Sequence, residues 1–164
     1  MKYLDKIKDV LNIKKIISQL RAKGNKVVFT NGCFDIIHLG HIRYLHRAKE
    51  LGDILVVAIN SDSSVRKIKG SKRPILDERT RAEILASIEC VDFVLIFNEN
   101  TPKNVIHMLM PHIDILVKGG DWREDQIIGS EIVIRAGGRV ATVPYISGFS
   151  TTSIIDKIIK RFCI

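Results

Sequence analysis

Short apolar runs alternate with longer amphipathic stretches along almost the whole chain. The runs predict five strands, at residues 26–30, 54–59, 91–97, 113–117 and 139–143. The run at 54–59 contains no polar residue, which is typical of a strand buried on both faces of a parallel sheet. The first strand ends at Asn31-Gly32 and the second at Asn60-Ser61-Asp62, and both endings favour turns.

Apolar residues that recur every three or four positions predict helices between these strands. Asn12 is predicted to cap the first long helix and Gly24 to end it, while Thr101 is a predicted cap with Pro102 at the first helical position. The helices are expected at 12–23, 41–51, 79–89, from 101 onwards, at 129–136 and from 151 onwards, with a further short helix within 1–11.

Strands separated by helices predict a Rossmann-like fold, a doubly wound α/β sheet of five parallel strands with right-handed crossovers. We expect one domain over residues 1–164, in which a helical segment at 1–25 precedes an α/β core at 26–164. Ligands bind such sheets beyond the carboxyl ends of the strands, so the residues that follow each strand are the candidates for function.

The composition favours an ordinary folded protein of the cytoplasm. Hydrophobic residues make up 46% of the chain and charged residues 27%, which argues against global disorder. No apolar run reaches membrane-spanning length, and the first residues lack the apolar block of a secretory signal. Cys33, Cys90 and Cys163 lie too far apart in sequence for a disulfide framework or a zinc motif.

The formal net charge of +8 indicates an anionic partner. Five cations lie within eight residues at Arg66, Lys67, Lys69, Lys72 and Arg73, next to a glycine and a proline, which predicts a loop that holds phosphate. Aromatic residues are only 6% of the chain and none lies within this cluster, so base stacking on a nucleic acid is not favoured.

The segment from Thr30 to His41 carries the most specific chemistry. His38 and His41 stand three positions apart at a predicted helix start, with Gly40 between them, and helix N-termini favour anions. The histidines are therefore candidate donors to phosphate oxygens. The alternatives are capping or surface histidines, or a zinc site, which would need a third ligand.

Two further segments follow strand ends. The glycine pair in Lys118-Gly119-Gly120-Asp121 would admit a flat base or a ribose, and Asp121 could accept from ribose hydroxyls, although a plain tight turn is the alternative. Gly148-Phe149-Ser150-Thr151-Thr152 begins the last helix, where hydroxyls can hold phosphates or act as ordinary N-caps.

These segments together resemble the cytidylyltransferase-like nucleotidyltransferases, and more narrowly their heptose 1-phosphate adenylyltransferase branch. The resemblance covers roughly residues 13–160 and includes, in order, Val28 to His41, Asn60 to Val65, Lys69-Gly70 with Arg73-Pro74-Ile75, Arg81-Ala82-Glu83, Val91-Asp92, Val117 to Asp121 and Gly148 to Thr152. It implies transfer of AMP from ATP to D-glycero-β-D-manno-heptose 1-phosphate, which would supply lipopolysaccharide or another surface glycan.

The resemblance also implies the roles of individual residues. His38, His41, Arg81 and Lys72 are expected to stabilise the reacting phosphates, with Mg²⁺ arriving on ATP rather than in a metal site of the protein. Nucleotide-binding residues are expected to be Thr30, Asn31, Gly32, Cys33, Phe34, Gly40, Lys69, Lys118, Gly119, Gly120, Asp121, Ser150, Thr151 and Thr152. A homodimer is expected, as is a separate sugar kinase that supplies the acceptor.

Two alternatives stay open. Glycerol-3-phosphate cytidylyltransferases resemble the chain, but the cytidylyltransferases place an arginine shortly before Ser-Thr-Thr, and residues 145–148 contain none, which favours the heptose branch. A nucleic-acid-binding module is suggested by the charge and by the H-x-G-H that class I aminoacyl-tRNA synthetases share. The chain has no lysine-rich K-M-S-K-S stretch of the kind found in those enzymes.

Overall fold

A computed structural model describes residues 2–120, 122–123, 126–144 and 148–162 of the chain. After a short 3-10 helix at Lys2–Lys6, the strands are β1 (Val27–Gly32), β2 (Ile54–Asn60), β3 (Phe93–Phe97), β4 (Ile115–Gly119) and β5 (Arg139–Val143). The α-helices are α1 (Val10–Ala22), α2 (Leu39–Lys49), α3 (Asp62–Lys69), α4 (Glu78–Ser87), α5 (Lys103–Leu109), α6 (Ser130–Arg135) and α7 (Thr151–Phe162).

The five strands form one parallel sheet in the order β3-β2-β1-β4-β5. Thr30 of β1 lies opposite Val57 of β2 on one side and Val117 of β4 on the other. The chain order therefore reverses at β1, and the carboxyl ends of β1 and β4 border the crevice in which such sheets bind ligands. The predicted fold class is confirmed.

Two apolar cores cover the two faces of the sheet. Val27 and Phe29 pack with Ile13 and Leu109 in one core, whereas Val28 packs with Leu85 in the other. Successive side chains of a strand point to opposite faces, so one apolar run serves both layers of helices. The five central residues of β2, all of them apolar, are fully buried.

Several predicted boundaries and caps are wrong. The N-cap of α1 is Asp9, whose carboxylate accepts from the backbone N–H of Asn12 at 2.9 Å, so the predicted cap Asn12 lies inside the helix. Pro102 is the N-cap residue of α5 and makes no side-chain capping bond, where Thr101 was predicted to cap. Strand β4 ends two residues later than predicted, which places Lys118 within the strand.

The basic cluster is also only partly a loop. Arg66, Lys67 and Lys69 belong to α3, which is capped by Ser61, while Lys72 and Arg73 lie in the connection to α4. The glycine and proline that predicted a loop do mark one, but it starts only at Gly70, where φ is +94°. No described helix has the length and apolar character that a membrane span requires.

Candidate active site

A cavity of about 820 Å³ opens at the carboxyl ends of the strands. Its walls come from the ends of β1, β2 and β4, from the starts of α2 and α7, and from the segment that follows α3. This volume lies within the range of small-molecule and cofactor sites. The predicted binding residues that line it are Asn31, Gly32, Cys33, Phe34, His38, Gly40, His41, Lys69, Lys118, Gly119, Ser150, Thr151 and Thr152.

The structure does not bring every predicted residue to this lining. Thr30 and Gly120 are buried beneath it, and Lys72 lies exposed outside it. Arg81 is fully buried behind the wall. Asp121, the predicted ribose ligand, lies outside the described residues.

The turn that follows β1 has a strained backbone. Phe34 adopts a φ of +46°, in a region that a bulky residue rarely occupies and that is often found at functional sites. Its ring covers Gly32, where an added Cβ would lie 3.0 Å from the ring edge. A larger residue at position 32 would therefore require the Phe34 ring to shift.

Arg81 holds this turn from behind. Its Nε donates to the Leu76 carbonyl at 3.0 Å, one terminal nitrogen donates to the Cys33 carbonyl at 2.6 Å, and the other donates to the Asn60 carbonyl and the Asp62 carboxylate, each at 2.8 Å. The guanidinium thus joins the ends of β1 and β2 to the segment before α4. These contacts give Arg81 a structural setting that differs from the predicted contact with triphosphate.

Asp35 holds the same turn from the other side. Its carboxylate is fully buried and accepts from the backbone N–H groups of Ile75 and Leu76 at 2.9 Å and from Arg73 Nε. Burial alone would raise the pKa of this carboxyl. The two N–H donors and the guanidinium outweigh burial and lower the pKa below its usual value.

His38 is the N-cap of α2. Its Nδ1 accepts from the backbone N–H of His41 at 3.4 Å, an arrangement that leaves Nε2 to carry the proton of a neutral imidazole. The two histidine rings stack with centroids 3.8 Å apart, and Phe34 packs against His41 at 5.2 Å. The capping alternative and the donor role are therefore compatible, since different nitrogens of His38 serve each.

His41 is uncharged at neutral pH in this structure. Burial, together with the neighbouring His38, lowers the pKa of His41 to about 4, against a smaller opposing effect from the Ile36 carbonyl. Its Nδ1 is buried without a hydrogen-bond partner among the described residues. A buried polar atom without a partner costs free energy, so a ligand that supplies one would be favoured there.

The starts of α2 and α7 meet at Gly40. An added Cβ on Gly40 would lie 3.0 Å from the His38 ring and 3.1 Å from the Cβ of Phe149, so a larger residue would push the two segments apart. At the start of α7, the Ser153 N–H donates to the Ser150 hydroxyl at 3.0 Å, as an N-cap does. Two helix N-termini therefore open on one cavity, and both favour anions.

Lys118 lies at the junction of β1 and β4. Its ammonium donates to the Asn31 carbonyl at 3.2 Å, and burial lowers its pKa to about 8. The Asn31 side-chain oxygen is buried and has no hydrogen-bond partner among the described residues. Next to this pair, the Tyr44 hydroxyl shares a hydrogen bond with the Thr30 hydroxyl and donates another to the Val117 carbonyl. Tyr44 thereby links α2 to β1 and β4 at the base of the cavity.

Comparison of the sequence with known proteins places the chain in a nucleotidyltransferase family, which fits a phosphate-binding cavity. The family model described as cytidylyltransferase-like matches residues 29–157. The chain belongs to the cytidylyltransferase-like family. It is 50% identical over 157 residues to the bifunctional protein HldE of Geobacter metallireducens, covering 96% of this chain and 32% of that protein. HldE of Syntrophotalea carbinolica is 44% identical over 162 residues, covering 99% and 33%. The chain thus spans about a third of the length of these relatives.

Solved structures with the same fold include two proteins with different descriptions. The lipopolysaccharide core biosynthesis protein of Thermoplasma volcanium has a TM-score of 0.59 at 31% identity, over 74% of this chain and 97% of that chain. Pantoate-beta-alanine ligase of Francisella tularensis, in complex with beta-gamma ATP and beta-alanine, has a TM-score of 0.59 at 16% identity, over 94% and 77%. The second likeness supports the fold alone.

Sequence reasoning missed several residues in the site of this cytidylyltransferase-like protein. Asn60, at the end of β2, lines the cavity and accepts from the Cys33 thiol at 4.0 Å. Its position just beyond a buried strand was the available signal. Arg73 also lines the cavity but was treated only as part of a basic cluster. Tyr44 gave no signal, because it has the spacing of an ordinary core residue in α2.

The donor set of the cavity does not resemble a metal cage. Among the described residues, no group of three or more histidine, cysteine, aspartate or glutamate side chains could hold a metal ion. Asp35, the carboxylate in the lining, is already bound by three donors. The polar groups around the cavity are N–H groups, hydroxyls and cations, which suit an anion.

Proposed function

We propose that the protein transfers AMP from ATP to D-glycero-β-D-manno-heptose 1-phosphate and releases pyrophosphate. The observation that carries this proposal is the convergence of two helix N-termini, at His38 to His41 and at Ser150 to Thr152, on one cavity beside Lys118. The likeness to the HldE proteins and the heptose-type motifs support the sugar half of the proposal.

The reaction needs positioning more than proton transfer. An oxygen of the acceptor phosphate attacks the α-phosphorus of ATP, and the bond from that phosphorus to the bridging oxygen of the leaving pyrophosphate breaks. A phosphate monoester dianion is already a nucleophile, so no general base is required. Catalysis then rests on in-line alignment and on donors that hold the charge of the leaving group.

We assign the donors as follows. The N–H of His38 Nε2, the imidazole of His41 and the amides and hydroxyls at the start of α7 hold the β- and γ-phosphates. Neutral imidazoles donate hydrogen bonds without the cost of burying a charge before ATP arrives. Lys118 contacts the α-phosphate region from β4, and Gly119 leaves room for the nucleoside beside the backbone. Lys69 and Lys72 add positive charge around the entrance.

Magnesium is proposed as part of the ATP substrate. Mg²⁺ keeps several water ligands and is commonly held by nucleotide phosphates together with one or two carboxylates. When bound, it would neutralise the charge on the phosphates. The residues assigned here would act on the same phosphates through N–H groups and cations.

The most direct test is pyrophosphate release with ATP, CTP, GTP and UTP, each against heptose 1-phosphate and glycerol 3-phosphate. We expect ATP with heptose 1-phosphate to give the highest kcat/KM. Preference for CTP with glycerol 3-phosphate would replace the proposal with a cytidylyltransferase. RNA retention that weakens with salt, without pyrophosphate release in any combination, would favour a nucleic-acid-binding module instead.

Two partners complete the proposal. A sugar kinase acting as a separate protein would supply the sugar 1-phosphate. A second copy of the chain would form a homodimer, and α7 presents exposed Ile158, Ile159 and Phe162 that could take part. Sedimentation equilibrium would reveal the dimer, and a monomer at micromolar concentration would contradict that part.

A further inference from the structure

The ion pair of Arg73 and Asp35 sets one arginine at the edge of the cavity. Asp35 is fully buried, and the Arg73 side chain is only 18% exposed. Among the described residues, the hydrogen bonds of the Arg73 side chain use Nε alone, and Arg73 lines the cavity. The terminal nitrogens of the guanidinium are thus left for a ligand, while the carboxylate fixes the plane of the group.

The backbone around Arg73 is fixed by the same carboxylate. Ile75 and Leu76, just after Arg73, donate their N–H groups to Asp35 at 2.9 Å. The Arg73 N–H donates to the Gly70 carbonyl at 3.1 Å, which closes the turn after α3. The position of Arg73 is therefore fixed by its side-chain bond to Asp35, by the N–H donors that follow it and by its own N–H. The exposed Lys72 beside it is not held in this way.

This arginine and the second helix N-terminus are held by different segments. Arg73 follows β2 and α3 and pairs with Asp35, whereas the start of α7 meets α2 at Gly40. An in-line displacement needs the entering and leaving groups on opposite sides of the phosphorus. One side of the cavity must then hold the leaving pyrophosphate, and the other must hold the acceptor.

The donor groups on the two sides indicate which side holds the pyrophosphate and which holds the acceptor. Two helix N-termini with histidines and hydroxyls offer many donors to a polyphosphate. A single guanidinium fork matches one phosphate monoester, to which it can donate two parallel hydrogen bonds.

We infer that Arg73, aimed by Asp35, binds the phosphate group of the acceptor on the β2 side of the cavity. This inference rests on the proposed function, because the acceptor is taken to be a sugar 1-phosphate. Arg73 is then a binding residue for the acceptor, and Asp35 is a positioning residue that acts through it.

The first test is a kinetic comparison of Arg73→Ala with the wild type, with each substrate varied in turn. We expect the KM for heptose 1-phosphate to rise about 10- to 100-fold, as for a lost charge-assisted pair, while the KM for ATP stays within about 2-fold. Arg79→Ala, at an exposed arginine outside the cavity, is the matched control and should leave both constants unchanged. An equal or larger rise in the KM for ATP would overturn the inference.

The second test measures binding without turnover. Isothermal titration of heptose 1-phosphate should lose most of its affinity in Arg73→Ala, while titration of a non-hydrolysable ATP analogue should not. If the wild type binds the sugar phosphate through Arg73 but releases no pyrophosphate, the proposed function fails and the acceptor site stands. If the wild type turns over and Arg73→Ala leaves the acceptor KM and affinity unchanged, the acceptor site fails and the function stands.

Asp35→Asn tests the positioning role. The amide keeps the shape of the carboxylate but loses its charge, so we expect a rise in acceptor KM that is smaller than for Arg73→Ala, with kcat changed less. Arg73→Lys should rescue little, since an ammonium cannot serve the carboxylate and a phosphate in the same plane. A lowered Tm with an unchanged acceptor KM in Asp35→Asn would show a purely structural role and contradict the positioning role.

Discussion

The two walls of the cavity are held in different ways. The turn after β1 is secured by Arg81 and Asp35, which are fully buried and bonded to main-chain and side-chain groups far away in sequence. The α7 wall has no fully buried residue in its helix, Phe149 before it is 44% exposed, and Ser150 and Ser153 bond each other. The wall formed by the turn after β1 is therefore fixed by long-range bonds before substrate binds. The α7 wall depends mainly on local contacts.

This difference predicts a division of labour. A rigid wall can hold the acceptor and the histidines in reactive geometry at no further cost when the substrates bind. A wall held by local bonds can adjust to the triphosphate, and its contacts should matter for binding ATP more than for folding. Substitutions of the buried anchors, Arg81 and Asp35, should therefore lower stability and activity together, whereas substitutions in the α7 wall should weaken ATP binding with little loss of stability.

The largest effect is expected for Arg81→Met. The change leaves the Asp62 carboxylate and three carbonyl groups without their buried partner, which should cost about 3–5 kcal/mol of unfolding free energy. Urea unfolding measures this loss, and pyrophosphate release should fall with it because the turn loses its anchor. If the variant kept full stability but lost turnover, Arg81 would instead contact phosphate directly, as the resemblance implies.

The next effect is expected for His41→Ala, which removes a donor from the rigid wall without breaking its anchors. Turnover should fall by about 10²-fold or more, as for loss of one preorganised donor. The free energy of unfolding should change by about 1 kcal/mol or less. Steady-state kinetics and urea unfolding on the same preparation separate the two effects, and near-normal kcat would remove this histidine from the mechanism.

A third prediction concerns Lys118, whose burial lowers its pKa to about 8 from a usual value of 10.5. Between these values the unfolded chain binds more protons than the native protein, so stability should rise with pH in that interval. Below pH 8 the partly buried ammonium is charged in the native state, which lowers the stability of the protein. Lys118→Met should therefore raise Tm by a few degrees at pH 7 while lowering kcat/KM.

The pH profile of kcat/KM provides the control for Lys118. The wild type should lose activity above about pH 8, as the ammonium loses its proton, and the variant should lack that alkaline limb. An alkaline limb that is identical in Lys118→Met would assign the titration to another group. A lower Tm in the variant would contradict the predicted cost of the buried charge.

The smallest effect is expected for Ser150→Ala in the α7 wall. The variant loses the hydroxyl that accepts from the Ser153 N–H, which should cost about 1 kcal/mol or less of stability. The KM for ATP should rise several-fold while the KM for the acceptor stays unchanged. A change in acceptor KM alone would mean that the assignment of the two walls is reversed.

Much of the fold follows from the sequence, because buried parallel strands leave unbroken apolar runs and helices leave a periodic stripe. The position of the cavity follows too, since Lys118 lies at the carboxyl end of a strand and His38 and Ser150 follow the ends of other strands of the same parallel sheet. The cap of α1 was missed because Asp9 and Asn12, three positions apart, both have side chains suited to an N-cap. Pro102 occupies the N-cap position of α5 without a side-chain bond, and helix ends of this kind vary by one or two residues.

The tertiary role of individual charges could not be derived from the sequence. Arg81 and Arg73 stand eight positions apart in a basic stretch, yet one is buried among four acceptors and the other lines the cavity. Their partners, Cys33, Asn60 and Asp35, lie 21 to 48 residues away. Local pattern shows that a residue is charged, and only the packing of distant segments decides what it faces.

The stereochemical course at the α-phosphorus tests the two-sided cavity most directly. A chiral ATP with sulfur in place of one α-phosphate oxygen and heptose 1-phosphate as acceptor would give a nucleotide sugar whose configuration can be read by ³¹P NMR. We predict inversion, because the acceptor phosphate on the β2 side displaces pyrophosphate held by α2 and α7 in one in-line step. Retention would require two displacements through a covalent intermediate, and would contradict a direct in-line attack of the acceptor phosphate on the α-phosphorus.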